Sequence, residues 1–257
     1  MLNNDLLERY SRQILLPEIN FSGQEKLRQA SVLIVGCGGL GSMVALFLAG
    51  AGVGRLTLVD ADCVELSNLH RQLAFRECDI NKPKVQALER QLVALNSEIT
   101  VISAVGRFGD DAEFDADLLS DSDIVIDATD NLATRHAIER STRLVEKPWI
   151  MGAATRLHGQ VASFSKSRLE GCYQCIAPSE DDRRGFDCRN EGILGPVVGV
   201  IAAWQAHDAL MFLSGQTLEW GILRVYDAMH QRIDRLVLTP RAECHTSKSG
   251  VKPDGIG

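Results

Sequence analysis

Residues 32–41 read VLIVGCGGLG, an apolar run that breaks into a glycine cluster matching G-x-G-x-x-G. The apolar run is typical of a buried strand, and the glycines allow a tight turn into a helix whose first N–H groups are bare. Those N–H groups and the positive end of the helix dipole favour a bound phosphate. The stretch therefore predicts a strand, a phosphate-binding loop and a helix in succession.

The first half of the chain continues this alternation of strands and helices. Besides the strand at 32–35, strands are predicted over 56–60, 99–104 and 124–127, and helices over 40–51, 84–95, 111–119 and 133–146. This pattern is typical of α/β proteins in which helices cover both faces of a parallel sheet. We predict a Rossmann-like, doubly wound, mostly parallel sheet.

The second half has a different pattern. It predicts a strand over 160–164, a long polar loop over 165–190, a helix from the apolar run 193–213, and strands over 223–226 and 233–238. These later strands are expected to extend the sheet in an antiparallel manner. We expect one domain over residues 1–240, with a crossover loop at about 165–190, followed by a polar tail over 241–257 that frays.

The composition excludes several classes of partner. The 257 residues are 45% hydrophobic and carry a formal net charge of -7, so nothing attracts the whole molecule to nucleic acid or to an anionic membrane. Pro196, Gln205, His207 and Asp208 interrupt the longest apolar run, which favours a buried helix over a membrane span. The N-terminus lacks a secretory pattern, and seven irregularly spaced cysteines suit reduced thiols. We expect a cytoplasmic protein.

An acidic residue accompanies the glycine loop. Asp60 follows Gly41 by nineteen residues, at the end of the next predicted strand, where its carboxylate can accept hydrogen bonds from ribose hydroxyls. The combination predicts a nucleotide site, although the glycines alone could merely pack a helix on a sheet. It does not separate a dinucleotide from ATP, since both present a ribose and phosphates to such a loop.

Charged residues farther along the chain favour a triphosphate. Asn68 and Arg71 lie within four residues of one another, and Lys84 opens the next helix. A dinucleotide pyrophosphate is usually held by the glycine loop alone, so two further cations suggest a longer phosphate chain. Asp130 follows the strand at 124–127, where it can hold Mg²⁺ beside nucleotide phosphates or simply cap the next helix.

Seven short motifs stand in order along the chain: RYSRQILL (9–16), GCGGLG (36–41), SNLHRQ (67–72), DINKPK (79–84), ATDN (128–131), CYQC (172–175) and CRNEGILGPVVGVIA (188–202). Together they resemble the ThiF/MoeB/HesA family, which comprises bacterial relatives of the ubiquitin-activating enzymes. The resemblance extends to about residue 247. The motifs at 9–16 and 188–202 are more similar to ThiF than to MoeB.

This resemblance implies an adenylation domain that uses Mg-ATP and releases pyrophosphate. Its substrate would be the C-terminal glycine of a small ubiquitin-like sulfur-carrier protein that ends in Gly-Gly. The resemblance assigns the phosphates to Gly39 and Gly41, the ribose to Asp60, the triphosphate to Ser67, Asn68, Arg71 and Lys84, and magnesium to Asp130 with Asn131 beside it. It also implies a homodimer in which Arg12 enters the active site of the other subunit.

The cysteines raise two further expectations. Cys188, beside Arg189 and near a predicted helix N-terminus, should ionise readily and attack the activated carrier or a persulfide donor, which the resemblance also implies. The family closes a zinc site with two C-x-x-C pairs. Here Cys172 and Cys175 form the first pair, but the second reads CHTS, so Cys244 is present while Ser247 replaces the fourth sulfur. His245, a water molecule or loss of the metal are the alternatives.

Other functions remain open at this point. The carrier can be ThiS-like, for thiamine thiazole synthesis, or MoaD-like, for molybdenum cofactor synthesis. An NAD-dependent oxidoreductase fits the glycine loop and Asp60 but leaves Arg71, Lys84 and Asp130 without a role. A tRNA-modification cyclase that adenylates a small carboxylate shares the nucleotide site, and a non-catalytic nucleotide sensor is a further alternative.

Overall fold

A computed structural model describes residues 4–177 and 192–241. Eight strands are found in these residues: β1 (Ser31–Val35), β2 (Arg55–Asp60), β3 (Thr100–Val105), β4 (Ile124–Asp127), β5 (Trp149–Thr155), β6 (His158–Phe164), β7 (Ile222–Asp227) and β8 (Arg232–Val237). The α-helices of the same residues are α1 (Asn4–Ile14), α2 (Asn20–Gln29), α3 (Gly39–Ala51), α4 (Lys84–Leu95), α5 (Ala112–Ser120), α6 (Leu132–Leu144) and α7 (Gly195–Ser214).

All eight strands belong to one sheet, in the order β3-β2-β1-β4-β5-β6-β7-β8. The strands from β3 to β5 pair in parallel, and those from β5 to β8 pair in an antiparallel manner. The prediction of a doubly wound, mostly parallel sheet extended by antiparallel strands is therefore confirmed. The direction of winding reverses at β1, which lies between β2 and β4, and ligands of this fold class bind beyond the carboxyl ends of the strands at that point.

Apolar side chains pack on both faces of the sheet. On one face, a core cluster combines alternate residues of β1 and β2, such as Val32 and Leu56, with apolar residues of α3, α4 and α7. On the other face, Leu33 and Val125 belong to a second cluster that includes Ile138 of α6. Strands buried on both faces read as continuous apolar runs, which explains the sequence of β1.

Helix α7 is the apolar run noted in the sequence. Its length and composition alone would allow it to cross a membrane, but 56% of its apolar window is buried inside the protein. It begins with a proline near its N-terminus, ends at Gly215 with φ +99°, and packs against α3 and β5. The expectation of a buried helix agrees with this packing.

Three elements of the fold differ from the sequence prediction, since strand β5 and helices α1 and α2 were not expected. The described part of the predicted loop at 165–190, residues 165–177, contains no strand and no α-helix, only a 3-10 turn over Tyr173–Cys175. Arg168 within it is nevertheless 1% exposed. Arg168 is packed there because its Nε donates to the buried Glu139 at 3.2 Å. Residues 178–191 and the predicted tail from 242 onward lie outside the described residues.

Candidate nucleotide site

A cavity of about 530 Å³ opens at the carboxyl end of the sheet, where the strand order reverses. Its volume is within the range of small-molecule and cofactor sites. Eight of the predicted nucleotide-binding residues line it: Gly39, Asp60, Ser67, Asn68, Arg71, Lys84, Asp130 and Asn131. Gly39 and Asn131, which are 92 positions apart in the chain, are thus brought to one site.

The glycine loop connects β1 to α3 along the floor of this cavity. Gly36 has φ +90°, a left-handed conformation that favours glycine. Gly38 precedes α3 and provides no side chain to cap the helix, which leaves its N-terminus suited to an anion. Gly41, which was expected to contact phosphates, packs against the glycine loop. A Cβ atom at this position would come within 1.8 Å of the Gly36 carbonyl oxygen. Gly41 therefore permits close packing and does not line the cavity.

Asp60 ends β2 with its carboxylate held from two sides. Oδ2 accepts a hydrogen bond from the Cys37 N–H at 2.7 Å, and Oδ1 accepts one from the Asp62 N–H at 2.8 Å. Burial raises the pKa of this carboxyl, while Lys84 and the two backbone donors oppose that rise. Each oxygen retains a lone pair, so the carboxylate can also accept hydrogen bonds from the hydroxyls of a ribose.

Lys84 forms an ion pair with a residue that the sequence analysis did not select. Its Nζ lies 2.8 Å from Asp62 Oδ2, and its backbone N–H donates to the Asp62 carbonyl at 2.9 Å. Lys84 is 6% exposed, so its ion pair with Asp62 holds the positive charge of the lysine at a fixed position in the cavity wall. Asp62 lies two residues after Asp60, beyond the end of β2, but only its ion pair with Lys84 shows its role in the site.

A short turn between β2 and α4 presents the amide and guanidinium groups. Asn68 caps the 3-10 turn Leu66–Asn68 by accepting from the Glu65 N–H at 3.3 Å. Arg71 donates from Nη1 to the Ser67 carbonyl at 3.1 Å, which fixes its side chain over its own turn. The three polar side chains of this motif, Ser67, Asn68 and Arg71, therefore reach the cavity from one rigid segment.

Asp130 follows β4 in a loop that buried groups hold in place. Asp127 accepts from the Thr129 N–H at 2.9 Å, and Arg135 lies 3.4 Å from the other carboxylate oxygen. Arg135 also donates to the carbonyls of Thr129 and Gly152. Burial raises the pKa of Asp127, and Arg135 opposes that shift. This arrangement fixes the loop while the Asp130 side chain remains exposed.

The helix after this loop is capped by Asn131 and not by Asp130. Asn131 Oδ1 accepts from the Thr134 N–H at 2.9 Å at the start of α6. Asp130 is therefore available to a cation, and a carboxylate oxygen is the type of ligand that Mg²⁺ prefers. The exposed carboxylate of Asp130 would hold a magnesium ion, which would supply positive charge beside a nucleotide.

Some lining residues were missed by sequence reasoning. They are Asp62, Gln72, Arg107, Phe108 and Arg135. Gln72 belongs to the motif SNLHRQ, and Arg135 lies four residues after Asn131, on the same face of α6. Sequence patterns could therefore have predicted that Gln72 and Arg135 line the cavity. Arg107 and Phe108 follow β3, and only the order of the strands brings them to the cavity.

Two predicted catalytic residues remain. Arg12 is exposed on α1 and does not line the cavity. Cys188 lies outside the described residues.

The C-x-x-C pair lies at the 3-10 turn after β6. The Cys172 and Cys175 sulfurs are 3.9 Å apart, close to the separation of about 3.8 Å that two sulfurs have on a tetrahedral zinc ion with Zn–S bonds of about 2.3 Å. Cys244, His245 and Ser247 lie outside the described residues. Within residues 4–177 and 192–241, no group of three or more His, Cys, Asp or Glu side chains is arranged to hold a metal. The pair by itself thus supplies two ligands of the expected four.

Comparisons with known proteins agree on one family. The sequence matches the model of the ThiF family over residues 10–246. It is 40% identical to the sulfur carrier protein ThiS adenylyltransferase of Escherichia coli strain K12, over 95% of this chain and 96% of that protein. It is 37% identical to the molybdopterin-synthase adenylyltransferase of Salmonella typhimurium, over 95% and 97% of the two chains.

Solved structures share the fold. A crystal structure of Escherichia coli MccB with ATP has a TM-score of 0.79 to this chain at 25% sequence identity. The match covers 92% of this chain and 72% of that one.

Proposed function

The chain belongs to the ThiF family, and from this premise we propose that it adenylates the C-terminal carboxylate of a ubiquitin-like sulfur-carrier protein. It is an adenylyltransferase, as its relatives of similar length are. The observation that supports the proposal best is the composition of the cavity. Two cations suited to a triphosphate, Arg71 and Lys84, face a ribose-binding carboxylate and an exposed Asp130 at the end of one sheet.

The proposed reaction requires little acid–base chemistry. A chain-terminal carboxyl has a pKa of about 3.5, so it is already ionised at pH 7 and needs no general base. One of its oxygens forms a bond to the α-phosphorus of ATP, the bond from that phosphorus to the oxygen bridging to the β-phosphorus breaks, and pyrophosphate leaves with the electron pair. The product is an acyl-adenylate.

The role of the protein is then to align two anions and to stabilise the charge on the leaving group. Lys84, held by Asp62, and Arg71, held over its own turn, place positive charge at fixed positions before the substrate arrives. Magnesium, when bound at Asp130, adds further positive charge beside the phosphates. Asn131 uses its oxygen to cap α6, which leaves its amide nitrogen for a ligand.

The proposal includes a homodimer in which Arg12 completes the neighbouring active site. Arg12 is exposed on α1 and does not reach the cavity of its own subunit, which is consistent with a role in another subunit. We further propose a single adenylation domain over residues 1–240, because one continuous sheet runs from β3 to β8. We also propose that the protein is cytoplasmic. Cys188, together with a persulfide donor, is the proposed candidate for sulfur transfer.

Two carriers compete as the natural substrate. The motifs at 9–16 and 188–202 favour a ThiS-like carrier. The identities do not separate the two carriers, since the ThiS adenylyltransferase, the molybdopterin-synthase adenylyltransferase and an adenylyltransferase and sulfurtransferase MOCS3 of Anopheles gambiae are 40%, 37% and 41% identical to this chain. We therefore propose a ThiS-like carrier, with a MoaD-like carrier as the alternative. ATP–pyrophosphate exchange measured with each carrier tests both the reaction and the choice.

An oxidoreductase is the main alternative from another class. It would use the glycine loop and Asp60 for a nicotinamide dinucleotide. The ion pair between Lys84 and Asp62 and the exposed Asp130 would then have no evident function in the site. Turnover of reduced nicotinamide without pyrophosphate exchange would support that alternative.

We also propose that Cys172, Cys175 and Cys244 hold zinc, with His245 or water as the fourth ligand in place of Ser247. The spacing of 3.9 Å between the first two sulfurs supports this. Metal analysis of the purified protein should find about one zinc ion per chain. Cys172→Ala should remove the zinc, because the altered site would keep fewer than the four ligands that structural zinc requires. A zinc content near zero in the unaltered protein would contradict the proposal.

A further inference from the structure

Gln72 is a buried side chain in the wall of the nucleotide cavity that the proposed roles do not include. It is 4% exposed and lies beside the glycine loop, where a Cβ atom added to Gly38 would be 3.5 Å from Gln72 Nε2. Its backbone is fixed, because its N–H donates to the Asn68 carbonyl at 3.0 Å and its carbonyl accepts from the Phe75 N–H at 3.1 Å. The backbone of Gln72 is therefore fixed, and its side chain extends to the glycine loop.

The amide oxygen of Gln72 has no hydrogen-bond partner among the described residues, although it is fully enclosed. Other buried amides in this fold are used. Gln24 accepts from Gln13 Nε2 at 2.6 Å and donates to the Ala51 carbonyl at 3.0 Å. Gln205, whose own Oε1 is also unpaired, still donates to the carbonyl of Asp127, and it does not line the cavity. Within residues 4–177 and 192–241, only Gln72 combines an unpaired enclosed amide atom with a place in the cavity wall.

Enclosing an amide atom without a partner destabilises a folded protein, so such atoms in native structures call for an explanation. The other end of the amide, Nε2, lies on the side of the glycine loop, 3.5 Å from the place of a Cβ atom on Gly38, so a ligand at the loop would meet this end. A half-turn about the last bond of the side chain exchanges the two ends of the amide, so either the oxygen or the NH₂ group can face a ligand.

The surroundings of Gln72 indicate which part of a nucleotide it would meet. Gly38 and Gly39, at the N-terminus of α3, and Arg71 are groups suited to phosphate, whereas Asp60 provides the acceptor for ribose hydroxyls. Phosphate oxygens accept hydrogen bonds and donate none. An amide at this position would therefore present its NH₂ group.

We propose that Gln72 is a further binding residue of the site, whose amide NH₂ donates a hydrogen bond to the phosphate chain of the bound nucleotide. The inference rests on the proposed function only in that the cavity binds a nucleoside triphosphate. It does not depend on the identity of the carrier or on the transfer reaction.

Two isosteric variants test the proposal by calorimetric binding of ATP and of adenosine, with no carrier present. Gln72→Met keeps the length of the side chain and removes the amide, so ATP affinity should fall about tenfold while adenosine affinity is unchanged. Gln72→Glu keeps the shape but brings a carboxylate to the phosphates, and it should weaken ATP binding more than the methionine does.

Thermal unfolding without nucleotide separates a ligand-binding role from a structural one. Gln72→Met should be at least as stable as the unaltered protein, because it removes an unpaired polar group. The matched control, Gln24→Met, should lower the melting temperature because its amide is fully bonded, and should leave ATP affinity unchanged.

Three results would overturn the inference about Gln72: unchanged ATP affinity in both of its variants, equal weakening of ATP and adenosine, or a loss of stability in Gln72→Met as large as that in the control. A protein that binds no ATP before any substitution would instead contradict the proposed function itself. The two failures are thus distinguishable in the same set of titrations.

Discussion

Asp130→Asn is expected to lower carrier-dependent ATP–pyrophosphate exchange at least about 100-fold, the size of effect that follows loss of one charge-stabilising group in a preorganised site. The change replaces a carboxylate oxygen by a neutral amide and removes the candidate magnesium ligand. The fold should be preserved, because Asn131 and not Asp130 caps α6 and because Asp127 and Arg135 hold the loop. Stability should change by no more than about 0.5 kcal/mol.

A matched control makes this result specific. Asp117→Asn alters the charge by the same amount on the exposed surface of α5, away from the cavity. It should retain full exchange activity. Full activity in Asp130→Asn as well would show that Asp130 has no role in the reaction.

Arg71→Ala should have an effect of similar size, about 100-fold or more in exchange, for a different reason. The guanidinium is held over its turn by the Ser67 carbonyl and lines the cavity beside the glycine loop, where a phosphate chain would lie. Its removal takes away a fixed positive charge. Arg71→Lys should recover part of the activity, since it keeps the charge but loses the planar fork that matches phosphate oxygens.

The control for Arg71 lies five residues along the same segment. Arg76 is exposed and donates to the Leu73 carbonyl at 2.8 Å, but it does not line the cavity. Arg76→Ala should leave exchange unchanged. Equal losses in the two alanine variants would indicate a general effect of charge on the segment and not a contact of Arg71 with the nucleotide.

The parts of the fold that sequence patterns predicted are those with strong local signals. The run at 32–35 and its glycines predicted β1 and the start of α3, and the helix predicted over 84–95 agrees with α4. Strand β5 was missed because its centre, Gly152-Ala-Ala154, combines small residues with low strand propensity. Its neighbours β4 and β6 stabilise it, and that pairing is not visible locally.

The same distinction applies to the site. Asp60, Arg71 and Lys84 stand in recognisable motifs, and the structure places all three around one cavity. The position of Gly41 was not predictable from the motif, since the spacing that brings a glycine to the loop does not say on which side of the loop it lies. Asp62 was missed because its role depends on an ion pair with Lys84, 22 residues away.

The ion pair between Asp62 and Lys84 also shows how burial organises the site. A lysine that is 6% exposed needs an anionic partner, and the partner here is bonded to the same lysine through both its side chain and its backbone. The charge that we propose to face the phosphates is therefore positioned by the fold before any nucleotide binds. Such preorganisation is what a reaction between two anions requires.

The measurement that tests the central claim most directly is ATP–pyrophosphate exchange by the purified protein, with and without a carrier that ends in Gly-Gly. The account predicts exchange of labelled pyrophosphate into ATP that depends on the carrier and is lost when the carrier lacks its terminal glycine. A ThiS-like carrier is expected to support faster exchange than a MoaD-like one. Absence of exchange with both carriers, together with turnover of reduced nicotinamide, would contradict the account.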